Sequence, residues 1–186
     1  MAAGDVLPPQ DKLPSMRTRR LVLRAMQFSD ATDYFAYAKD PEVLRDTVGT
    51  TPKSLRDAVA FLRGALTDPN ARMWAVQLRD RPMVIGAVEL GVFSPESASI
   101  HFVLGKAHWR QGLMTEAVNG VCAWAFANVP TLQEIKTSAV ESNVASTRVL
   151  EKTGFERVGA VAEQRGTEPE PVQLGLFRRA RQEKLG

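Results

Sequence analysis

Three strand-like segments occupy residues 73–104, and only short turns separate them. "MWAVQL" (73–78) precedes the turn "RDRP", "MVIGAVELGVF" (83–93) precedes "SPES", and "SASIHFVL" (97–104) ends the set. Turns this short join neighbouring strands that run in opposite directions, because a parallel pair needs a long crossover connection. The centre of the chain is therefore predicted to form an antiparallel sheet on which the other segments pack.

Helix-like segments lie between the first strand and this sheet. "FSDATDYFAYAKDP" predicts a helix that Ser29 or Asp30 caps and that Pro41 ends. "TPKSLRDAVAFLRGAL" predicts a second helix, with Thr51 as the N-cap and Pro52 at the first helical position. Its predicted apolar face consists of Leu55, Ala58, Val59, Leu62 and Leu66.

The second half of the chain alternates between helical and strand-like patterns. A helix follows Gly112 and ends at Pro130, "EIKTSAVE" (134–141) is a strand, and Asn143 caps a compact helix that Gly154 ends. "FERVGAVAE" and "PVQLGLFRR" are final strands joined by the polar loop "QRGTEPE". With a first strand at "RRLVLRAM" (19–26), the order predicts an α+β fold. We expect one mixed, mostly antiparallel seven-stranded sheet flanked by about four helices.

Bulk composition excludes several classes of protein. With 24 basic and 21 acidic residues, the charge is too balanced to indicate nucleic-acid binding, and the basic run "RTRR" (17–20) is typical of solvated strand positions. No apolar stretch approaches the roughly 18 residues that span a bilayer. One cysteine and two histidines show no metal-ligand spacing, so no metal is expected. We predict a cytoplasmic protein with a mobile lead-in at residues 1–16 and a single domain at residues 17–186.

The loop "WRQGLMTEAV" (109–118) leads into the helix that follows Gly112. A helix N-terminus has unpaired N–H groups and the positive end of the helix dipole, so it can bind an anion. The N–H groups of residues 110–115 are suitably placed, no carboxylate precedes Glu116, and Lys106 and Arg110 add positive charge at the rim. An ordinary strand–turn–helix junction explains the same glycine.

A second segment, together with this loop, resembles a known family. "IHFVLG", "WRQGLMTEA" and "NVASTRVLEKTGFERVG" are similar to the GCN5-related N-acetyltransferases, and most similar to the branch that acetylates N-terminal amines of ribosomal proteins. The resemblance covers about residues 17–179. Two positions depart from the usual pattern of the branch. Arg110 stands where glycine is usual, and Leu113 stands where an aromatic residue is usual.

The resemblance implies acetyl-CoA, or another acyl-CoA, as cosubstrate. It implies a strand that diverges from its neighbour, so that backbone groups of Phe102 and Leu104 pair with the pantetheine arm. It also implies that Asn143 contacts the cofactor arm or a nearby water, and it suggests a homodimer. The predicted cofactor-binding residues are Phe102, Val103, Leu104, Trp109, Arg110, Gln111, Gly112, Leu113, Met114, Thr115 and Asn143.

Three residues are candidates for the acid–base chemistry of acyl transfer. Glu89 interrupts an apolar strand, and it is either a base or a solvated strand residue. His101 has an ordinary pKa suited to a base, and its alternative is a packed structural histidine. Counting outward from "SPES" places it opposite Glu89, whose carboxylate is expected to raise the pKa of the imidazole. The resemblance implies that Ser146 is a candidate acid for the CoA thiolate, a role found in part of the branch, and its alternative is simply a first-turn helix residue.

We therefore expect an acyltransferase, most simply an acetyltransferase, that acts on a primary amine. The acceptor is a protein N-terminus or a small molecule, and the acyl group is acetyl or a larger group such as succinyl. The alternative from another class is a domain that binds acyl-CoA as a sensor, or that binds a partner protein, without turnover.

Overall fold

The computed structural model describes residues 7–47, 49–164 and 170–182. One eight-stranded sheet runs through the protein in the order β1-β2-β3-β4-β5-β6-β8-β7. Its strands are β1 (Met16–Arg17), β2 (Leu21–Ala25), β3 (Ala71–Leu78), β4 (Val84–Ser94), β5 (Ser97–Leu104), β6 (Glu134–Val140), β7 (Glu156–Glu163) and β8 (Val172–Ala180). Every neighbouring pair is antiparallel except β5 and β6, which are parallel. The mixed, mostly antiparallel α+β fold is confirmed, with eight strands instead of seven.

Five α-helices flank the sheet in the described residues. They are α1 (Ala31–Ala38), α2 (Pro41–Leu44), α3 (Leu55–Thr67), α4 (Leu113–Asn128) and α5 (Val144–Lys152). The short helix α2 was not predicted, because Pro41 was interpreted only as the end of α1. Pro41 also begins a helix, since the first turn needs no N–H from it, and the side chain of Asp40 accepts a hydrogen bond from the N–H of Glu42 at 3.0 Å.

The start of α3 corrects the predicted N-cap. Ser54, not Thr51, caps the helix, and Pro52 lies in the preceding loop. The Ser54 hydroxyl accepts from the N–H of Asp57, and the Asp57 carboxylate accepts from the N–H of Ser54. This reciprocal pair satisfies two N–H groups of the helix start at once, which explains why the helix begins at Leu55.

Only part of the predicted apolar face of α3 is buried. Ala58 and Leu62 are fully buried, whereas Leu55 and Val59 are 44% and 36% exposed. The buried stripe of the helix is therefore narrower than predicted, and these two side chains lie at its solvent-facing edge.

Two apolar clusters cover the two faces of the sheet. One lies between the sheet and α4 and includes Val88, Leu90 and Ile100, and the other lies under α1 and α3 and includes Met73 and Ala87. Successive side chains of a strand point to opposite faces. Residues 89 and 101 alternate with members of the α4-side cluster, so Glu89 and His101 lie on the α1–α3 face.

Part of the segment predicted as a mobile lead-in packs against the sheet. Leu7 and Leu13 are buried in the α4-side cluster. The Gln10 amide donates to the carbonyl oxygen of Met73 at 2.7 Å and accepts from its N–H at 3.0 Å. These contacts satisfy backbone groups at the start of β3, so residues 7–16 belong to the folded body. Residues 1–6 of the predicted lead-in lie outside the described residues.

Two further regions also lie partly outside the described residues. They are positions 165–169 of the predicted loop between the last two strands and positions 183–186 at the end of the predicted domain. Among the described helices, none is long and apolar enough to cross a membrane.

Candidate active site

The parallel pair β5–β6 is joined over only part of its length. Residues 97–99 of β5 pair with residues 134–136 of β6, and the pairing then stops. Beyond that point β5 remains paired with β4 as far as Leu104, and β6 remains paired with β8 as far as Val140. The two strands thus diverge and leave an opening in the middle of the sheet.

Backbone groups of two β5 residues point into this opening. The N–H of Gly105 donates to the carbonyl of Ile85 at 2.8 Å, which sets the phase of the antiparallel β4–β5 ladder. Hydrogen-bonded pairs alternate along such a ladder, so Val103 and His101 bond towards β4, and Phe102 and Leu104 face the opposite way. The Leu104 carbonyl is occupied by the Trp109 indole N–H at 2.6 Å.

Val103 is the exception among the β5 residues predicted to bind the cofactor. Its backbone faces β4, and its side chain packs with the cluster under α1 and α3. The opening is therefore lined by both backbone groups of Phe102 and by the N–H of Leu104.

The loop after β5 contains two residues in the left-handed conformation, Arg110 (φ 61°) and Gly112 (φ 72°). Glycine adopts this conformation freely, whereas other residues pay about 1–2 kcal/mol because of their Cβ. This geometry explains why glycine is usual at position 110 in the family that the loop resembles. Arg110 adopts this left-handed conformation although it carries a side chain, so its backbone is strained.

Gly112 is the N-cap of α4 and has no side chain that can cap the helix. The N–H of Glu116 is the first to bond within the helix, to the Gly112 carbonyl. The N–H groups of Leu113, Met114 and Thr115 therefore remain at the positive end of a 16-residue helix. The side chains of Leu113 and Met114 are buried, so these residues can bind an anion only through their backbone.

Two charged residues at this loop differ from the sequence-based interpretation. Lys106, expected at the rim, instead pairs with Glu42 of α2 at 2.6 Å. Arg20, interpreted as a solvated strand residue, contacts the loop directly and donates to the Gln111 carbonyl at 2.8 Å. The sequence carries no signal for this contact, because the two residues are 91 positions apart.

Asn143 is the N-cap of α5, as predicted, and its side-chain oxygen accepts from the N–H of Ser146 at 3.0 Å. Neither the Asn143 amide N–H₂ nor the Ser146 hydroxyl has a hydrogen-bond partner in residues 7–47, 49–164 and 170–182. Helix α5 packs against α4, so both groups lie on the α4 side of the sheet, beyond the end of β6.

Glu89 and His101 are direct cross-strand partners, as the count from the turn predicted. Burial raises the pKa of Glu89, and the charge of Asp68 raises it further. The expected effect of Glu89 on His101 is wrong. Burial by neighbouring atoms disfavours the charged imidazole and lowers the pKa of His101, although the residue keeps part of its surface exposed. No hydrogen bond or ion pair joins the two side chains. The lowered pKa favours the neutral imidazole of His101, which is the form that can accept a proton.

The candidate acid and bases lie on opposite faces of the sheet. Ser146 is on the α4 side, and Glu89 and His101 are on the α1–α3 side, with the β5–β6 opening near the middle. The structure thus does not bring the three residues into one cluster. No group of three or more His, Cys, Asp or Glu side chains suited to a metal ion occurs in the described part of the chain.

A family model described as an acetyltransferase (GNAT) domain matches residues 20–156, most of the chain. The chain belongs to this acetyltransferase family. It is 24% identical over 179 residues to an uncharacterized N-acetyltransferase, p20, from Bacillus licheniformis, and this match covers 94% of the chain and 100% of that protein. The protein is thus an acyl-CoA-dependent N-acetyltransferase, which transfers an acyl group from CoA to an amine.

Solved structures of other acetyltransferases have the same fold. A GNAT-family acetyltransferase from Bacillus anthracis superposes with a TM-score of 0.81 at 19% identity, over 90% of this chain and 98% of that one. RimL, a ribosomal L7/L12 α-N-protein acetyltransferase in complex with coenzyme A, gives a TM-score of 0.79 at 15% identity, over 90% of this chain and 98% of that one.

The strained backbone at position 110 leads to a stability prediction. We expect Arg110→Gly to raise the free energy of unfolding by about 0.5–1 kcal/mol, since the left-handed strain of about 1–2 kcal/mol exceeds the entropy cost of a glycine. Arg110→Ala is the matched control, because it removes the charge but keeps the Cβ. Urea denaturation measures both variants. Equal stabilisation by alanine would show that charge, not backbone conformation, is the cause.

Proposed function

We propose that the pyrophosphate of acetyl-CoA binds the N–H groups at the start of α4 and that its pantetheine arm lies in the β5–β6 opening. The observation that carries this proposal is the continuity of the two features. The opening displays unpaired backbone groups of Phe102 and Leu104, and it leads directly into the loop whose N–H groups face solvent at Gly112. An extended arm with amide groups satisfies the backbone groups of the opening, and a phosphate satisfies the N–H groups of the loop.

On this placement, the residues around the thioester fall into three sets: backbone donors of β5, side chains on the α4 side, and side chains on the α1–α3 face. The Leu104 N–H and the Phe102 N–H are the candidate donors to the oxyanion that forms when the amine attacks. Ser146 and Asn143 lie on the α4 side, where the hydroxyl protonates the departing thiolate and the amide donates to the arm. The amine approaches from the α1–α3 face, where His101 takes its proton, and Glu89 lies directly opposite His101 on β4.

We further propose that the acceptor is the N-terminal amine of a protein or peptide. The run from Asn143 to Phe155 supports this choice by its resemblance to the ribosomal-protein branch, and RimL is a structural relative. The exposure of His101 also supports it, because small-molecule sites usually enclose most of their ligand, whereas a chain end can reach an open surface.

A panel of amines tests the acceptor. Free-thiol release from acetyl-CoA is measured with a set of peptides, with the same peptides carrying a blocked N-terminus, and with spermidine. We expect release only with free N-termini, and mass spectrometry should place the acetyl group on the first residue. Release with spermidine but with no peptide would assign the enzyme to small amines, and faster turnover with succinyl-CoA would change the donor.

Substitution of Gly112 tests the anion site. Aspartate and asparagine both tolerate the left-handed conformation and add similar atoms, but only aspartate adds a negative charge. We expect Gly112→Asp to weaken acetyl-CoA binding at least tenfold, about 1.4 kcal/mol by calorimetry, and Gly112→Asn to weaken it much less. Similar affinities for the two variants would mean that charge at this point is irrelevant to binding.

The lowered pKa of His101 sets the expected pH dependence. If its neutral ring is the base, kcat/KM rises with pH through a limb below the ordinary histidine value of 6.5. His101→Ala should remove this limb and lower kcat/KM by roughly 10²-fold, while Glu89→Gln should lower the rate less and keep the limb. An unchanged profile in His101→Ala would eliminate the histidine as the base.

A further inference from the structure

We propose that Arg20 is a positioning residue for acetyl-CoA, which holds the loop at residues 109–112 in its binding conformation and directs positive charge at the pyrophosphate. This inference rests on the proposed binding of the pyrophosphate at the start of α4. It concerns a residue in the strand connection before β2, far from the loop in sequence.

Arg20 ties the loop and the first turn of α4 to the edge of the sheet. Its Nε donates to Oε2 of Glu116 at 2.8 Å, and its Nη1 donates to the Gln111 carbonyl at 2.8 Å. Its backbone N–H donates to the other oxygen of Glu116 at 2.7 Å, and the Thr18 hydroxyl donates to the same oxygen. Residues on both sides of Gly112 are thus held by one side chain.

These contacts also neutralise the carboxylate nearest to the proposed anion site. Partial burial opposes ionisation of Glu116, but the hydrogen bonds from Thr18 and Arg20 outweigh it and lower the pKa. Glu116 is therefore a carboxylate at neutral pH, and both of its oxygens are engaged. Without Arg20, an unpaired negative charge would stand in the first turn of the helix that is to bind a phosphate.

The third guanidinium nitrogen of Arg20 faces the open side of Gly112. A Cβ built on Gly112 would lie 3.6 Å from Nη2, and Nη2 has no hydrogen-bond partner within the described ranges. The guanidinium is planar and rigid, so fixing Nε and Nη1 also fixes the direction of Nη2. A cation held in this way is suited to a phosphate oxygen, which it can bind without first losing side-chain freedom.

Arg20→Met tests the proposal, and Arg19→Met is the matched control. Arg19 is the exposed neighbouring residue of the same charge, and its side chain makes none of these contacts. We expect Arg20→Met to raise KM for acetyl-CoA at least tenfold with kcat nearly unchanged, and Arg19→Met to leave both constants unchanged. Equal effects of the two variants would reduce the role of Arg20 to general surface charge and overturn the proposal.

A truncated donor separates positioning from structural damage. S-acetylpantetheine carries the thioester but no pyrophosphate, so Arg20→Met should leave its kcat/KM unchanged. A variant that is only destabilised would lose activity with both donors, and that result would overturn the proposal. Arg20→Lys keeps the charge but loses the two-point attachment, so we expect an intermediate KM for acetyl-CoA. It also replaces Arg20→Met in both assays if the methionine variant does not fold.

Two outcomes distinguish this inference from the proposed function. If Gly112→Asp weakens acetyl-CoA binding and Arg20→Met does not, the site stands and the role of Arg20 is refuted. If neither variant changes binding, the pyrophosphate does not bind at the start of α4, and the proposed placement of the cofactor is itself wrong.

Discussion

The short parallel contact between β5 and β6 is the constraint on which the site depends. The two strands share three residue pairs, and each is otherwise bound only to its antiparallel neighbour on the other side. Buried backbone N–H and C=O groups require partners, so a sheet that opens in its middle is stable only if water or a ligand completes the bonds. Apolar side chains such as Ile100 and Ile135 hold the two halves together below the opening. The fold can therefore keep unpaired groups available to a ligand without loss of its core.

The second requirement is a loop that holds its shape while it presents backbone N–H groups. Left-handed residues at positions 110 and 112 turn the chain into α4, and contacts on two sides keep it there. Lys106 reaches Glu42 on α2, and Arg20 reaches Gln111 and Glu116. None of these contacts joins residues that are close in sequence.

Local chemistry made much of the fold predictable from the sequence. Asn143 and Gly154 delimit α5 because caps and left-handed stops act within one turn, and counting from a short turn was enough to pair Glu89 with His101. Thr51 was the wrong choice of N-cap, because the type of one residue does not by itself fix where a helix begins. The helix start depended on Asp57, three positions after Ser54, which completes the reciprocal pair of hydrogen bonds. The direction of the His101 pKa was not predictable, because desolvation depends on atoms that the tertiary fold brings together. The contact of Arg20 with the loop was hidden for the same reason.

The position of the opening between two faces has a consequence for the order of events in the reaction. On the proposed placement, the thioester is approached from one face by the amine and supported from the other by α5, so donor and acceptor can occupy the enzyme together. An acyl-enzyme intermediate is then unnecessary, and the chain offers a poor nucleophile for one: Cys122 is fully buried in α4, and burial raises the pKa of its thiol to about 11. The architecture favours a ternary complex, with sequential rather than ping-pong kinetics.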